Sequence, residues 1–105
     1  MKPAPEILDR LVNEIVAAVH PLRIIVFGSA ARGDVTSDSD LDLLVIVPGP
    51  VHRRRIEQQI YSNLRGVLVP VDVVVATEED IEKYGDQIGM IYRPALNEGK
   101  VIYEA

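Results

Sequence analysis

The stretch Gly28-Ser29-Ala30-Ala31-Arg32-Gly33, with Ser39-Asp40-Leu41-Asp42-Leu43 shortly after it, decides how this chain is read. The first part is a turn of small residues, whose backbone N–H groups can cradle phosphate. The second carries two carboxylates one strand repeat apart, hard oxygen ligands of the kind that Mg²⁺ takes. Ten residues separate Ser29 from Asp40. Anion donors and cation ligands in so short a span are what a phosphate-handling site needs.

On a strand, side chains alternate between faces, so Asp40 and Asp42 point one way and Leu41, Leu43 and Val45 the other. Same-face neighbours at that spacing lie about 7 Å apart, where two charges repel by roughly 2 kcal/mol at an effective dielectric near 20. A divalent cation between them reverses the sign. A bare Asp-x-Asp equally suits a solvated strand end, so its neighbours carry the argument. Gly28 has no Cβ to block a phosphate, and Ser29 adds a hydroxyl donor at what reads as a helix N-terminus. Asp72 is a lone acid in the apolar run Val69-Pro70-Val71-Asp72-Val73-Val74-Val75-Ala76. Buried there it is costly unless it meets a partner or a metal, and it is the third ligand that the other two lack.

Outward from this centre, the periodicity gives an α/β sandwich. Ile7, Leu8, Leu11, Val12, Ile15, Val16 and Val19 recur at helical spacing and predict an amphipathic helix over 5–19, ended by Pro21. Arg23–Phe27 reads as a strand stopped by Gly28, and Ser29 caps a brief helix through Arg32. Leu41–Val47 is a second strand, closed by Pro48-Gly49-Pro50. Residues 51–65 read as a helix and 67–76 as a third strand, apolar enough to predict burial on both faces at the sheet centre. Thr77-Glu78-Glu79-Asp80 is a helix start with acids in its first turn. A further helix falls within 86–98, and Val101–Glu104 closes the sheet as an edge strand. The order is α-β-α-β-α-β-α-α-β, a mixed β-sheet with helices packed on it.

The bulk properties exclude several classes. A length of 105 residues reads as one domain, 1–105, with little room for a second substrate-binding unit. The absence of cysteine rules out a disulfide framework and a Cys-based zinc site. A formal charge of −5 argues against a tight, sequence-independent grip on nucleic acid. Much of that acidity is local, with Asp34, Asp38, Asp40 and Asp42 inside nine residues. No apolar run approaches membrane-spanning length and no signal peptide opens the chain, so it reads as cytoplasmic with no membrane partner.

Gly-Ser, ten residues and Asp-x-Asp together resemble the signature of the DNA polymerase beta-like nucleotidyltransferase superfamily. The fuller pattern, Gly28-Ser29-x-Ala31-Arg32-Gly33 followed by Ser39-Asp40-x-Asp42-Leu43, is similar to that of its small members, the minimal nucleotidyltransferases. Asp72 matches their third carboxylate, and Glu98-Gly99-Lys100-Val101-Ile102-Tyr103-Glu104 resembles their usual ending. The resemblance implies a polymerase beta-like α+β fold and transfer of a nucleoside monophosphate from a triphosphate, ATP, to an acceptor hydroxyl. It implies two Mg²⁺ ions held by Asp40, Asp42 and Asp72. It also gives Gly28 and Ser29 the β and γ phosphates, with Arg32 and Ser39 as further candidates for the nucleotide. Small members of this family are paired with a helical HEPN toxin, on a tyrosine of which they place AMP, and this implies an antitoxin role. Two rivals stand beside it: a silent module that neutralises a partner by docking, and an enzyme that modifies a small molecule. A homo-oligomer is left open.

Arg32 suits a phosphate or an ion pair to Asp34 or Asp38 equally well, and Ser39 suits the turn into the strand. Arg53-Arg54-Arg55 opposes the dipole at a helix start, a cost that speaks for some use, in binding triphosphate, RNA or an acidic protein face, but a solvated helix surface is the better reading. His20 and His52 lack metal-ligand spacing. Tyr61, Tyr84, Tyr92 and Tyr103 read as half-buried packing residues.

Overall fold

The computed structural model describes residues 5–27, 41–64, 66, 71–84 and 99–105. Helix α1 (Pro5–Val19) opens on a proline, whose missing N–H costs nothing in a first turn. It ends where the His20 N–H donates to the Val16 carbonyl at 3.0 Å and His20 takes a φ of 48°. That left-handed residue, with Pro21 after it, turns the chain into strand β1 (Arg23–Phe27). Strand β2 (Leu41–Val47) follows, then helix α2 (Arg53–Asn63), strand β3 (Val71–Thr77), helix α3 (Glu78–Tyr84) and strand β4 (Lys100–Glu104). The short helix expected at 29–32 and the one within 86–98 lie outside the described residues.

The four strands form one sheet in the order β3-β2-β1-β4. Pairing is antiparallel between β1 and β2 and between β1 and β4, and parallel between β2 and β3, so the sheet is mixed as expected. The parallel pair is joined by α2, the crossover that such pairing requires. One expectation needs correction. Strand β3 lies at the margin of the described sheet, and β2 is the inner strand buried on both faces. The valine run of β3 is explained by helices on both sides: Val73 and Val75 face α1 and α2, and Ala76 lies beneath α3. Apolar residues on two faces of a strand therefore do not require two flanking strands. Residues 67–70 of the expected strand lie outside the described residues, and the α2 ends were set too wide, since residues 51, 52 and 64 fall outside the helix.

Strand alternation divides the core in two. Ile24, Val26, Leu43, Val45, Val73 and Val75 face α1 and α2, where Leu11, Ile15 and Ile60 are fully buried. Ile25, Phe27, Leu44, Ile46 and Ala76 form a smaller cluster on the other face, against Ile81 of α3. Strand β4 carries a bulge: Ile24 pairs with Tyr103 and Ile25 with Val101, leaving Ile102 as the extra residue.

Helix α3 starts as the sequence predicts. The Asp80 N–H donates to Thr77 Oγ1 at 3.1 Å, and the Thr77 N–H donates back to Asp80 Oδ2 at 3.0 Å. This reciprocal box ties the end of β3 to the start of α3. Arg53 of α2 donates to the same Asp80 Oδ2 at 3.3 Å, so one carboxylate joins three elements.

Candidate active site

The face of the sheet that bears Ile25, Leu44 and Ala76 also carries two acids at one end. Asp42 is the second residue of β2 and Asp72 the second of β3, and the parallel register sets them directly opposite each other. In-register residues on neighbouring strands share a face and stand about 4.8 Å apart at the backbone. On the other side of β2, Asp42 pairs with Phe27, the last residue of β1. The Asp42–Asp72 pair thus sits at the end of the sheet where β1 finishes and β2 and β3 begin. Asp42 is half-buried and Asp72 is exposed.

The exposure of Asp72 corrects one step of the sequence argument. Its place in an apolar run suggested a buried carboxylate in need of a partner. In fact it lies near the strand start, where water reaches it and no burial penalty applies. What remains in favour of a site is the register. Two like charges on one face repel, by on the order of 1 kcal/mol at about 5 Å in water. Two carboxylates set opposite each other in register fit a hard divalent cation, which removes that repulsion. The donor set therefore suits the metal that the resemblance implies. Among the described residues no group of three or more His, Cys, Asp or Glu side chains gathers as a metal site, and Asp40 lies outside them.

Gly28, Ser29, Arg32 and Ser39 also lie outside the described residues. Gly28 and Ser29 directly follow Phe27 in the chain, and Asp40 directly precedes Leu41. The covalent chain thus attaches them to the strand ends that flank Asp42.

Two further features fall elsewhere. Arg53 meets Asp80 beside Thr77, five residues along β3 from Asp72, or about 16 Å away at the strand rise. The cluster Arg53-Arg54-Arg55 is therefore at the wrong end of the sheet to hold a triphosphate at the Asp42–Asp72 pair. A cavity of about 320 Å³ opens at that far end, lined by Leu22, Ile46 and Ile81 with Glu78, Glu82 and Glu104. Arg23 also lines it but pairs with Glu104 at 3.9 Å, so the three carboxylates outweigh it and give the cavity the wrong sign for a nucleotide tail.

Tyr61 differs from its sequence reading. Its side chain is 43% exposed, and its hydroxyl accepts a hydrogen bond of 2.8 Å from the Val73 N–H, next to Asp72. A signal for this existed in the sequence. Ile56 and Ile60 define the inward stripe of α2, and Tyr61 falls off it.

Comparison with known proteins agrees with this frame. The chain belongs to the nucleotidyltransferase domain family, whose model matches residues 8–102. It is 35% identical over 81 residues to a "putative protein adenylyltransferase" of Methanocaldococcus jannaschii, with 77% of each chain covered. In fold it is similar to a "putative nucleotidyltransferase" from Sulfolobus solfataricus, with a TM-score of 0.65 at 20% identity. That match covers 94% of this chain and 78% of the other. A crystal structure of a toxin-antitoxin with AMP-PNP gives a TM-score of 0.62 at 18% identity, over 93% of this chain and 73% of the other. The protein is a nucleotidyltransferase. No helix among the described residues is long and apolar enough to cross a membrane.

Proposed function

We propose that this nucleotidyltransferase moves AMP from ATP onto a hydroxyl of a partner protein, a tyrosine of a HEPN-type toxin, and thereby acts as its antitoxin. The observation that carries the reading is the in-register pair Asp42 and Asp72 at the sheet end to which Gly28, Ser29 and Asp40 are attached. The choice of a protein acceptor is supported by the M. jannaschii relative, named as a protein adenylyltransferase. The choice of a toxin is supported by the fold shared with a toxin-antitoxin that holds AMP-PNP.

Asp40, Asp42 and Asp72 would hold two Mg²⁺ ions, which when bound neutralise phosphate charge and make an acceptor hydroxyl more acidic. The chain's own groups supply the rest. The N–H groups of Gly28 and Ser29 and the Ser29 hydroxyl hold the β and γ phosphates, with Arg32 and Ser39 beside them. The acceptor oxygen bonds to the α phosphorus while the bond to the bridging oxygen breaks, and pyrophosphate leaves. The acceptor's proton passes toward Asp72. Catalysis of this kind rests on positioning and on charge neutralisation.

The test is incubation with α-labelled ATP, Mg²⁺ and a candidate HEPN-type toxin. Label should appear on a toxin tyrosine with the unaltered protein and disappear with Asp42→Asn. Label on the toxin that survives both Asp42→Asn and Asp72→Asn would falsify the proposal. Toxin neutralised equally well by a triple Asn variant would favour simple docking.

A further inference from the structure

Asp72 is the second residue of β3, a strand that among the described residues is held by sheet pairing on one side only, a place where strands fray. On its outer side the first backbone N–H beyond Asp72, that of Val73, is taken by the Tyr61 hydroxyl at 2.8 Å. The base of this clamp is firm, since Ile60 on the inner face of α2 is fully buried and Leu64, which caps the helix, is 7% exposed. The tip is not a packing residue, because the Tyr61 side chain is 43% exposed. A phenol that adds little to the core but caps a strand-edge donor next to a functional acid has a positional task.

We propose that Tyr61 is a positioning residue that keeps the start of β3 in register, so that the Asp72 carboxylate stays opposite Asp42. This rests on the reading of Asp42 and Asp72 as cation ligands. Phenylalanine at 61 keeps the ring and removes the oxygen, leaving the part-buried Val73 N–H without its acceptor. Residues 71–73 then leave the sheet more often, by about fivefold for the loss of one neutral hydrogen bond. Asp72 is correspondingly less available to a cation.

Three measurements test this. First, hydrogen exchange followed by NMR should show the Val73 amide protected in the unaltered protein and about fivefold less protected in Tyr61→Phe. Prompt exchange of that amide in the unaltered protein overturns the clamp. Second, Tyr61→Phe should raise the Mg²⁺ concentration for half-maximal transfer severalfold, and direct binding of Mn²⁺ should weaken to match. Third, adding Tyr61→Phe to Asp72→Asn should change cation affinity no further, because the tyrosine acts through that acid. Independent, additive effects would overturn the proposal. If Asp72→Asn lowers cation affinity and Tyr61→Phe does not, the clamp fails and the site reading stands. If Asp72→Asn leaves cation affinity unchanged, the site reading itself fails, and the role of Tyr61 with it.

Discussion

The two ends of the parallel pair β2–β3 are built from similar residues to opposite ends. At the far end Val47 and Thr77 are buried, and Asp80 ties the Thr77 N–H and Arg53 together with its side chain only 18% exposed. Gly49 also packs there, so tightly that a Cβ would stand 3.0 Å from Thr77 Cγ2. At the near end Asp72, eight positions before Asp80, is exposed and faces Asp42 in register. The carboxylate at the sealed end satisfies backbone and guanidinium donors of its own fold. At the other end the half-buried Asp42 and the exposed Asp72 stand opposite each other in register, and their proximity to one another adds repulsion rather than support. Acids that destabilise each other persist where an external cation or substrate uses them.

The sharpest way to break this contrast is to neutralise one acid at each end. Asp42→Asn or Asp72→Asn should lower nucleotidyl transfer by several orders of magnitude, as read with labelled ATP. Asp72→Asn should not reduce the denaturation midpoint, because it relieves a like-charge repulsion at an exposed position. Asp80→Ala should do the reverse, leaving turnover within about twofold at a temperature where the protein is folded. It should cost about 1–2 kcal/mol in urea denaturation, the value of a helix N-cap with a weak exposed ion pair added. Equal activity losses at 72 and 80 would erase the distinction between the two ends.

A substitution in the shared core sharpens the contrast from the other side. Leu43 is fully buried, next to Asp42 but on the opposite face, among Val26, Ile15 and Ile60. Leu43→Ala should destabilise by about 2–5 kcal/mol through lost burial and the cavity left behind. The metal concentration needed for transfer should stay near its original value while the protein remains folded. A change in metal requirement comparable to that of Asp72→Asn would mean that the Asp42 position depends on packing rather than on strand register.

Much of this was legible in the chain because it is local. The apolar period of 5–19, the alternation around Asp42 and the Thr77-x-x-Asp80 cap each fix a neighbourhood by bonds between near residues, and α1, β1, β2, the α3 start and β4 follow. Sheet order was not local. An apolar β3 is compatible with a central strand or with a marginal one roofed by helices, and only tertiary packing chooses. The exposure of Asp72 was hidden for the same reason, since the sequence could not show that β3 starts one residue before it. That Asp42 and Asp72 share a face needed the parallel register, which depends on how α2 crosses over. The Tyr61–Val73 bond joins residues twelve positions apart through that same crossover and left only the weak signal of a tyrosine off the apolar stripe.

The smallest expected effect tests the same contrast through its cations. Arg54 and Arg55 are exposed at the start of α2, next to Arg53, which Asp80 holds at the sealed end. If triphosphate binds near Asp42 and Asp72, it lies about 16 Å along β3 from the end of the sheet where α2 starts. At physiological ionic strength the Debye length is about 8 Å, so the field of these guanidinium groups there is largely screened. Arg54→Ala with Arg55→Ala should therefore leave the KM for ATP within about twofold. Stability should rise by a few tenths of a kcal/mol, because positive charge in a helix's first turn opposes the dipole. A tenfold rise in the KM for ATP, undiminished by added salt, would move the nucleotide to the far end of the sheet and leave the paired aspartates without a substrate.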